Sequence, residues 1–276
     1  MDDHFDRQRR LIETAIRYSA AAILAVVGAP ALPAQTSVAI SPHIIEKVVR
    51  PGQGLSDIVS FTNSGKEPAQ VSLELADFTV DENGKAHDRP PGTEPSSLAP
   101  FLRIAPPTVR VAPQQTVNFR YSAQLPAAFT HYRVMIYFLV RPVTALVANG
   151  AGFLIVPRLG VPLYAENIGA KPASLHIDSI FWARSPEGSL YADLQLRNDG
   201  QRNIRPQGLV FVRSANGRFA RQFPFNEGRE PVLPSQSRQW HVTFGPVPRD
   251  DLSVDFRLTT SATKTFHETY EIAAAR

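Results

Sequence analysis

The sequence predicts an all-β protein: two tandem antiparallel β-sandwiches behind an N-terminal export signal. Three observations predict it. Short runs that alternate apolar and polar residues recur along the chain from Ser37 onward, closed by turns such as Pro51-Gly52 and Asn63-Ser64-Gly65. The 24 prolines and 16 glycines, against two methionines, supply the turns that many short strands need. At 276 residues the chain is too long for one small sandwich and suits two cores of ordinary size.

Residues 1–34 place Arg7, Arg9, Arg10 and Arg17 ahead of an apolar run from Ala20 to Ala29, and small residues follow it. This is the layout of a secretory signal peptide, with cleavage expected after Ala34 or Ala31. The run is short for a bilayer span, so the mature chain is expected beyond the inner membrane, in the periplasm, without a lasting anchor; the acidic Asp2, Asp3, Asp6 and Glu13 leave an uncleaved anchor or a misassigned start as the alternative. The chain has no cysteine, so no disulfide braces the fold and no thiolate serves as nucleophile or metal ligand.

In the first half, residues 37–54 read as one strand running into the Pro51-Gly52 turn, and 55–65 as a second. Residues 69–80 alternate cleanly, with Val71, Leu73 and Leu75 on one face. Residues 81–97, DENGKAHDRPPGTEPSS, read as a long polar loop opening on an Asn-Gly turn. Residues 101–125 give two strands broken by prolines. The doubly apolar run HYRVMIYFLVRPV suits a central strand, and VTALVANGAG, 143–152, reads as a loop. With residues 153–164 this makes about seven strands at the spacing of an immunoglobulin-like sandwich.

The pattern then restarts, and SLHIDSIFWA, SLYADLQLRNDG, LVFVRS, RFARQFPF, SRQWHVTFG, SVDFRLTTS and KTFHETYEIA give a second set of about seven. FTNSG matches LRNDG, and APQQTVNF matches LPSQSRQWHVTF, in the same order. The expected division is a signal peptide over 1–34, a first sandwich over 37–160 and a second over 161–276.

Chemistry is sparse. The seven histidines are scattered with no pair at metal-ligand spacing, no serine sits in a Gly-x-Ser-x-Gly turn, and the acids at 81–82 lack the alternate ligands of a calcium loop. No catalytic residue, metal or cofactor is expected; the chain reads as a binder rather than an enzyme. A net charge of +4 with scattered arginines and no basic run argues against nucleic acid as a partner.

The stretch 153–164, FLIVPRLGVPLY, is the strongest candidate for function. As a strand it puts Phe153, Ile155, Leu159, Val161 and Leu163 on one face and Leu154, Val156, Arg158, Gly160 and Tyr164 on the other. Pro157 and Pro162 cannot donate to a ladder, which places the stretch at a sheet edge, a bulge or a passage between domains. An apolar edge strand is a pairing site for another chain. The alternative is a last strand buried by its own neighbours.

Taken in order, ISPHIIEKVVRPGQG, VSFTNSG, FLRIAPPTVRVAPQQTVNFRY, LPAAFTHYRVMIYFLVRP and RLGVPLYAEN resemble the N-terminal domain of the periplasmic chaperones of pilus assembly, over 37–167. The resemblance implies two immunoglobulin-like domains set at an angle. It also implies donor-strand complementation: the chaperone lends 153–164 to a pilus or other secreted subunit that lacks its own last strand, then passes it to an outer-membrane usher.

The family holds the subunit's terminal carboxylate with two basic residues. Lys47 falls at the first position; the second reads Val161 or Gly160, with Arg158 the nearest basic residue. Arg133 stands where the family has an acid in its domain-to-domain ion pair. The expected partner-binding set is therefore Lys47, Phe153, Leu154, Ile155, Val156 and Arg158. The competing reading is a non-catalytic envelope module, structural or adhesive, that binds a surface polymer or envelope protein through loops such as 81–97.

Overall fold

The computed structural model describes residues 37–50, 52–126, 129–143, 156–261 and 264–274. The first half forms β1 (Val38–Ser41), β2 (Ile45–Val49), β3 (Gly54–Asn63), β4 (Ala69–Val80), β5 (Ala86–Arg89), β6 (Leu102–Ala105), β7 (Thr108–Val111), β8 (Thr116–Gln124), β9 (His131–Pro142) and β10 (Arg158–Asn167). The second half forms β11 (Leu175–Arg184), β12 (Ser189–Asn198), β13 (Gln207–Ser214), β14 (Ala220–Phe225), β15 (Ser237–Pro246), β16 (Leu252–Ser261) and β17 (Lys264–Ile272). The expected all-β architecture holds, and the second half yields its seven strands where the alternation placed them.

The first sandwich faces a sheet ordered β1-β3-β8-β6 with one ordered β2-β10-β9-β4-β5, to which β7 adds by pairing with β4. As its apolar character predicted, β9 is central, between β10 and β4. Its inward residues Val134, Ile136, Phe138 and Val140 are buried, and Phe138 stacks on Phe61 at 6.0 Å and meets Phe119 edge-on at 5.3 Å. The second sandwich faces β11-β12-β15 with β14-β13-β16-β17 around Leu194, Phe244 and Phe256.

Four expectations change. Residues 101–125 form three strands rather than two, β6, β7 and β8, and the first half has ten strands among the described residues where about seven were expected. Residues 37–54 contain two strands rather than one, because the chain leaves β1 in one sheet and enters β2 in the other across 42–44. Residues 81–97 are not all loop: β5 returns beside β4 as a hairpin through the Asn83-Gly84 turn. All four residues of β5 are exposed, so no apolar period marked them. Finally, a division at 160/161 would cut β10. The first core takes in Val161, Leu163 and Ala165 and the second begins at Leu175, so we place the division after Asn167.

The likeness between the halves is a shared corner. Asn63, buried at the end of β3, donates through Nδ2 to the carbonyls of Glu67 and Val111 and accepts the Gly65 N–H. Asn198, buried at the end of β12, donates to the carbonyls of Arg202 and Val232 and accepts the Gly200 N–H. Gln114 and Ser235 enter the left-handed region at φ 59° and 57°, and each gives its N–H to the carbonyl of that asparagine. The matched motifs thus tie the same two turns together in each sandwich.

Asn63→Ala removes a donor to two carbonyls and the acceptor of one amide, and Asn198→Ala a donor to two carbonyls and the acceptor of two amides, those of Gly200 and Ser174. Each is expected to cost about 1–3 kcal/mol in denaturant unfolding; a loss below about 0.5 kcal/mol would show that the corner carries no weight.

Candidate functional site

β10 is paired on both sides only over its second half. β9 runs antiparallel along all of it, from Arg158 opposite Leu139 to Glu166 opposite His131. β2 runs parallel beside it only from Leu163 opposite Ile45 to Asn167 opposite Val49. The Val140 N–H donates to the Pro157 carbonyl and the Asn167 N–H to the Thr130 carbonyl, so the odd residues of β10 turn their main-chain groups toward β9. The even residues turn theirs the other way. At Tyr164 and Glu166 those groups meet β2; at Arg158, Gly160 and Pro162 no strand stands beside them among the described residues.

The side chains follow the same parity. Leu159, Val161, Leu163 and Ala165 face the core, while Arg158, Gly160, Pro162 and Tyr164 lie on the outer face. The ladder keeps one register from Pro157 to Asn167, so neither proline carries a bulge. Phe153, Leu154 and Ile155 lie outside the described residues; Val156, half-buried, leads into the strand.

Lys47 and Arg158 are not brought together. Lys47 sits opposite Ala165, seven residues along β10 from Arg158, or about 23 Å at strand rise. They also face opposite sides of the sheet. Lys47 points inward between Ile45 and Val49 and pairs with Asp57 of β3 at 2.5 Å. The hydrogen bond from Lys47, with a second from the Ile58 N–H, holds the Asp57 carboxyl below the usual range. Burial pushes the Tyr121 hydroxyl up to about 12, helped by the Asp57 charge across the ladder. Arg158 lies on the outer face, engaged with Asp88 at 2.6 Å and Glu74 at 3.6 Å. A side chain at Gly160 has no room, since a Cβ there would stand 2.9 Å from both the Met135 sulfur and the Tyr137 ring.

No protein-family model matches the chain, and no curated protein matches it in sequence. Among solved structures its fold is similar to pilus chaperones. The YadV chaperone aligns over 85% of this chain and 99% of its own at 14% identity and a TM-score of 0.48. The E. coli chaperone DraB aligns over 87% and 97% at 14% identity and 0.42. The Salmonella enterica SafA pilin in complex with the SafB chaperone gives 89% and 98% at 14% identity and 0.43. All lie below a TM-score of 0.5, so the reading below rests on this chain's own strands and side chains.

The second sandwich covers the other end of that outer face. Tyr164, Met135 and Phe78 bury Leu233 between them. The hairpin tip at 82–84 reaches β15: the Gln239 N–H donates to the Glu82 carbonyl at 2.6 Å, and the Arg238 guanidinium fills the space where Gly84, at φ +82°, has no side chain. Arg238 is almost wholly buried and pairs with Glu230 at 2.6 Å.

Beside this contact runs a cleft of about 320 Å³ lined by Glu46, Lys47, Val48, Glu166, Asn203 and Arg205. Arg205 pairs with Glu46 at 2.7 Å, and Glu166 accepts the Asn203 N–H at 2.6 Å. Arg133, on β9, is buried and donates to the Phe78 carbonyl at 3.1 Å. Sequence reasoning missed Arg205 and Gln239, whose partners lie more than 150 positions away in the chain, and Arg238, which pairs locally with Glu230 but packs on the distant Gly84. The one usable signal was the Asn83-Gly84 turn.

Burial raises the Glu166 carboxyl above the usual range and the Glu46 charge adds to this, against the Asn203 N–H and the charges of Arg202 and Arg205. A carboxyl raised on folding stabilises below its unfolded pKa and loses that contribution as pH climbs through its folded one. Glu166→Gln keeps the acceptor and removes the charge. It is expected to raise the Tm at pH 7 by about 2–4 °C, a gain that closes below about pH 4. A lower Tm at pH 7 would mean that the charge favours the interface.

Proposed function

We propose that this chain is a periplasmic, pilus-assembly-chaperone-like protein that binds and stabilises partner subunits by lending them the strand that runs through β10. The observation that carries it is the half-open edge. Main-chain donors and acceptors at Arg158 and Gly160 have no strand beside them among the described residues, the sequence before them is the apolar 153–156, and an added strand satisfies those groups as a ladder would.

We read the roles from the parity of β10. In an unbroken strand, Phe153 and Ile155 share the phase of the core-facing Leu159 and Val161, so they extend the line of the first core beyond its end. Those two side chains enter the partner's incomplete core; Leu154 and Val156 share the outward phase of Arg158 and contribute less. Lys47 points to the other side of the sheet from the cleft beside Glu46 and Arg205, and a partner carboxylate that binds it competes there with Asp57. The partners are pilus or other secreted subunits ending in an alternating apolar strand, and an outer-membrane usher that receives them. Residues 1–34 direct the chain through the inner membrane and are removed. No helix among the described residues is long and apolar enough to cross a membrane.

The envelope-module reading gains no support from 81–97. The tip of that segment lies against β15, and its later part is latched from within by Asp77, which accepts from the Thr93 and Glu94 N–H groups and the Ser97 hydroxyl.

Phe153→Asp with Ile155→Asp is expected to abolish capture of subunits co-expressed from the native operon, measured by co-purification and mass spectrometry, while the Tm stays within about 2 °C. Leu154→Asp with Val156→Asp is expected to weaken it less. Equal, undiminished capture by both pairs would sink strand donation; a stronger loss from the second pair would reverse the phase.

A further inference from the structure

Arg158 was expected to meet the partner, yet its side chain turns away from the open edge and lies back across the sheet. Its guanidinium carbon stands 3.2 Å from the centre of the Tyr137 ring on β9. Beyond that ring it reaches Asp88 on β5 at 2.6 Å and Glu74 on β4 at 3.6 Å. The Tyr137 hydroxyl donates to the other oxygen of Asp88 at 2.6 Å. Four adjacent strands, β10, β9, β4 and β5, are thereby joined on their outer face. Gly160 makes this possible, because any side chain there would displace the Tyr137 ring.

Each ion pair alone would be weak, since the charged groups are a third to a half exposed. The stacked guanidinium is different, for it is held on two carboxylates and a ring whose own hydroxyl is tied to one of them. Burial opposes the charge on Asp88, but the bonds from Tyr137 and Arg158 outweigh it and hold that carboxyl below the usual range.

The position matters more than the strength. β10 lacks β2 at this end, so among the described residues β9 alone holds it there, and Pro157 can supply no N–H to its rung. Residues 158–160 would otherwise be the loosest part of the strand. We propose that Arg158, with Tyr137, Asp88 and Glu74, is a cross-sheet strap that holds the open edge of β10 in register and extended, ready for an added strand. Arg158 is then a positioning residue and not a contact to the partner. The strap deepens the strand-donation reading and rests on it. A strand already held flat loses less freedom on pairing, so the strap favours capture without touching what is captured.

The test uses the whole mature protein and two readouts. Amide hydrogen exchange at Leu159, Phe138 and Val140 reports the β9–β10 rungs with no partner present. Binding of a short peptide of alternating valine and threonine reports the edge. Arg158→Gln is expected to speed exchange at those three amides on the order of ten-fold while the Val212 amide in the second core is unchanged. The same variant is expected to weaken the peptide on the order of five-fold. Tyr137→Phe, which keeps the ring and loses only the hydroxyl bond, moves both readouts the same way by less, and Arg158→Lys restores part of each. Weaker peptide binding with unchanged exchange would make Arg158 a direct contact and overturn the strap. Faster exchange with unchanged binding would overturn its role in capture. A wild-type protein that binds no peptide overturns strand addition itself, a result distinct from the other two because the exchange is read without peptide.

Discussion

The structure turns on one mismatch of lengths. β10 needs a neighbour on each side to satisfy its main chain, and β9 provides one along its full length, but β2 arrives late. It arrives late because residues 37–49 are divided between two sheets: β1 closes one, and the chain must cross at 42–44 before β2 can begin at Ile45. A longer β2 would seal the edge and cost the other sheet its border strand. The open main-chain groups at Arg158 and Gly160 follow from that division. Buried polar groups without partners are costly, so an edge like this persists only where water or another chain completes it.

An exposed edge also needs a sheet that does not deform. On the core side the row from Leu159 to Ala165 is locked into close-packed aromatic and aliphatic neighbours. The outer face is treated in two parts. Toward the end of β10, Tyr164 and Met135 are covered by Leu233 of the second sandwich, and the Glu82–Gln239 and Glu46–Arg205 contacts hold that cover in place. Toward its beginning no second sandwich reaches, and the polar group around Tyr137 takes over. The second sandwich thus buttresses the strand from one end.

Much of this was legible in the sequence, and what was not has definite physical reasons. The period-two pattern placed β9 at the centre and divided 159–164 between the correct faces, because parity along a strand is fixed by the pleat. The matched Asn-x-Gly and Pro-led motifs proved to be one corner built twice. The hairpin at β5 left only its Asn83-Gly84 turn as a trace, because all side chains of β5 face water and period carries information only where one face is buried. The pairing of Lys47 with Asp57 and of Arg158 with Asp88 could not be read at all. A charge shows its type in a sequence but not its partner, and these partners are chosen by sheet order. Lys47 and Arg158, grouped by resemblance, are separated by parity and by strand length.

The two prolines of β10 have different meanings once parity is known. Pro162 is an even residue, so its missing N–H would have pointed to the β2 side, just short of the point where β2 begins; the β9 ladder loses nothing. Pro157 is odd, and its missing N–H would have pointed to β9. The rung to Val140 therefore keeps one of its two possible bonds, that from the Val140 N–H to the Pro157 carbonyl. Pro162 marks where the second neighbour ends among the described residues, and Pro157 reduces its rung with β9 to a single bond. Between them lies the segment held from one side only, with one side chain, Arg158, long enough to reach back across the sheet. That order along the strand, full pairing, then half pairing with a strap, then a weakened rung leading into apolar residues, is what a strand needs if one end is to stay in its own sandwich while the other serves a second.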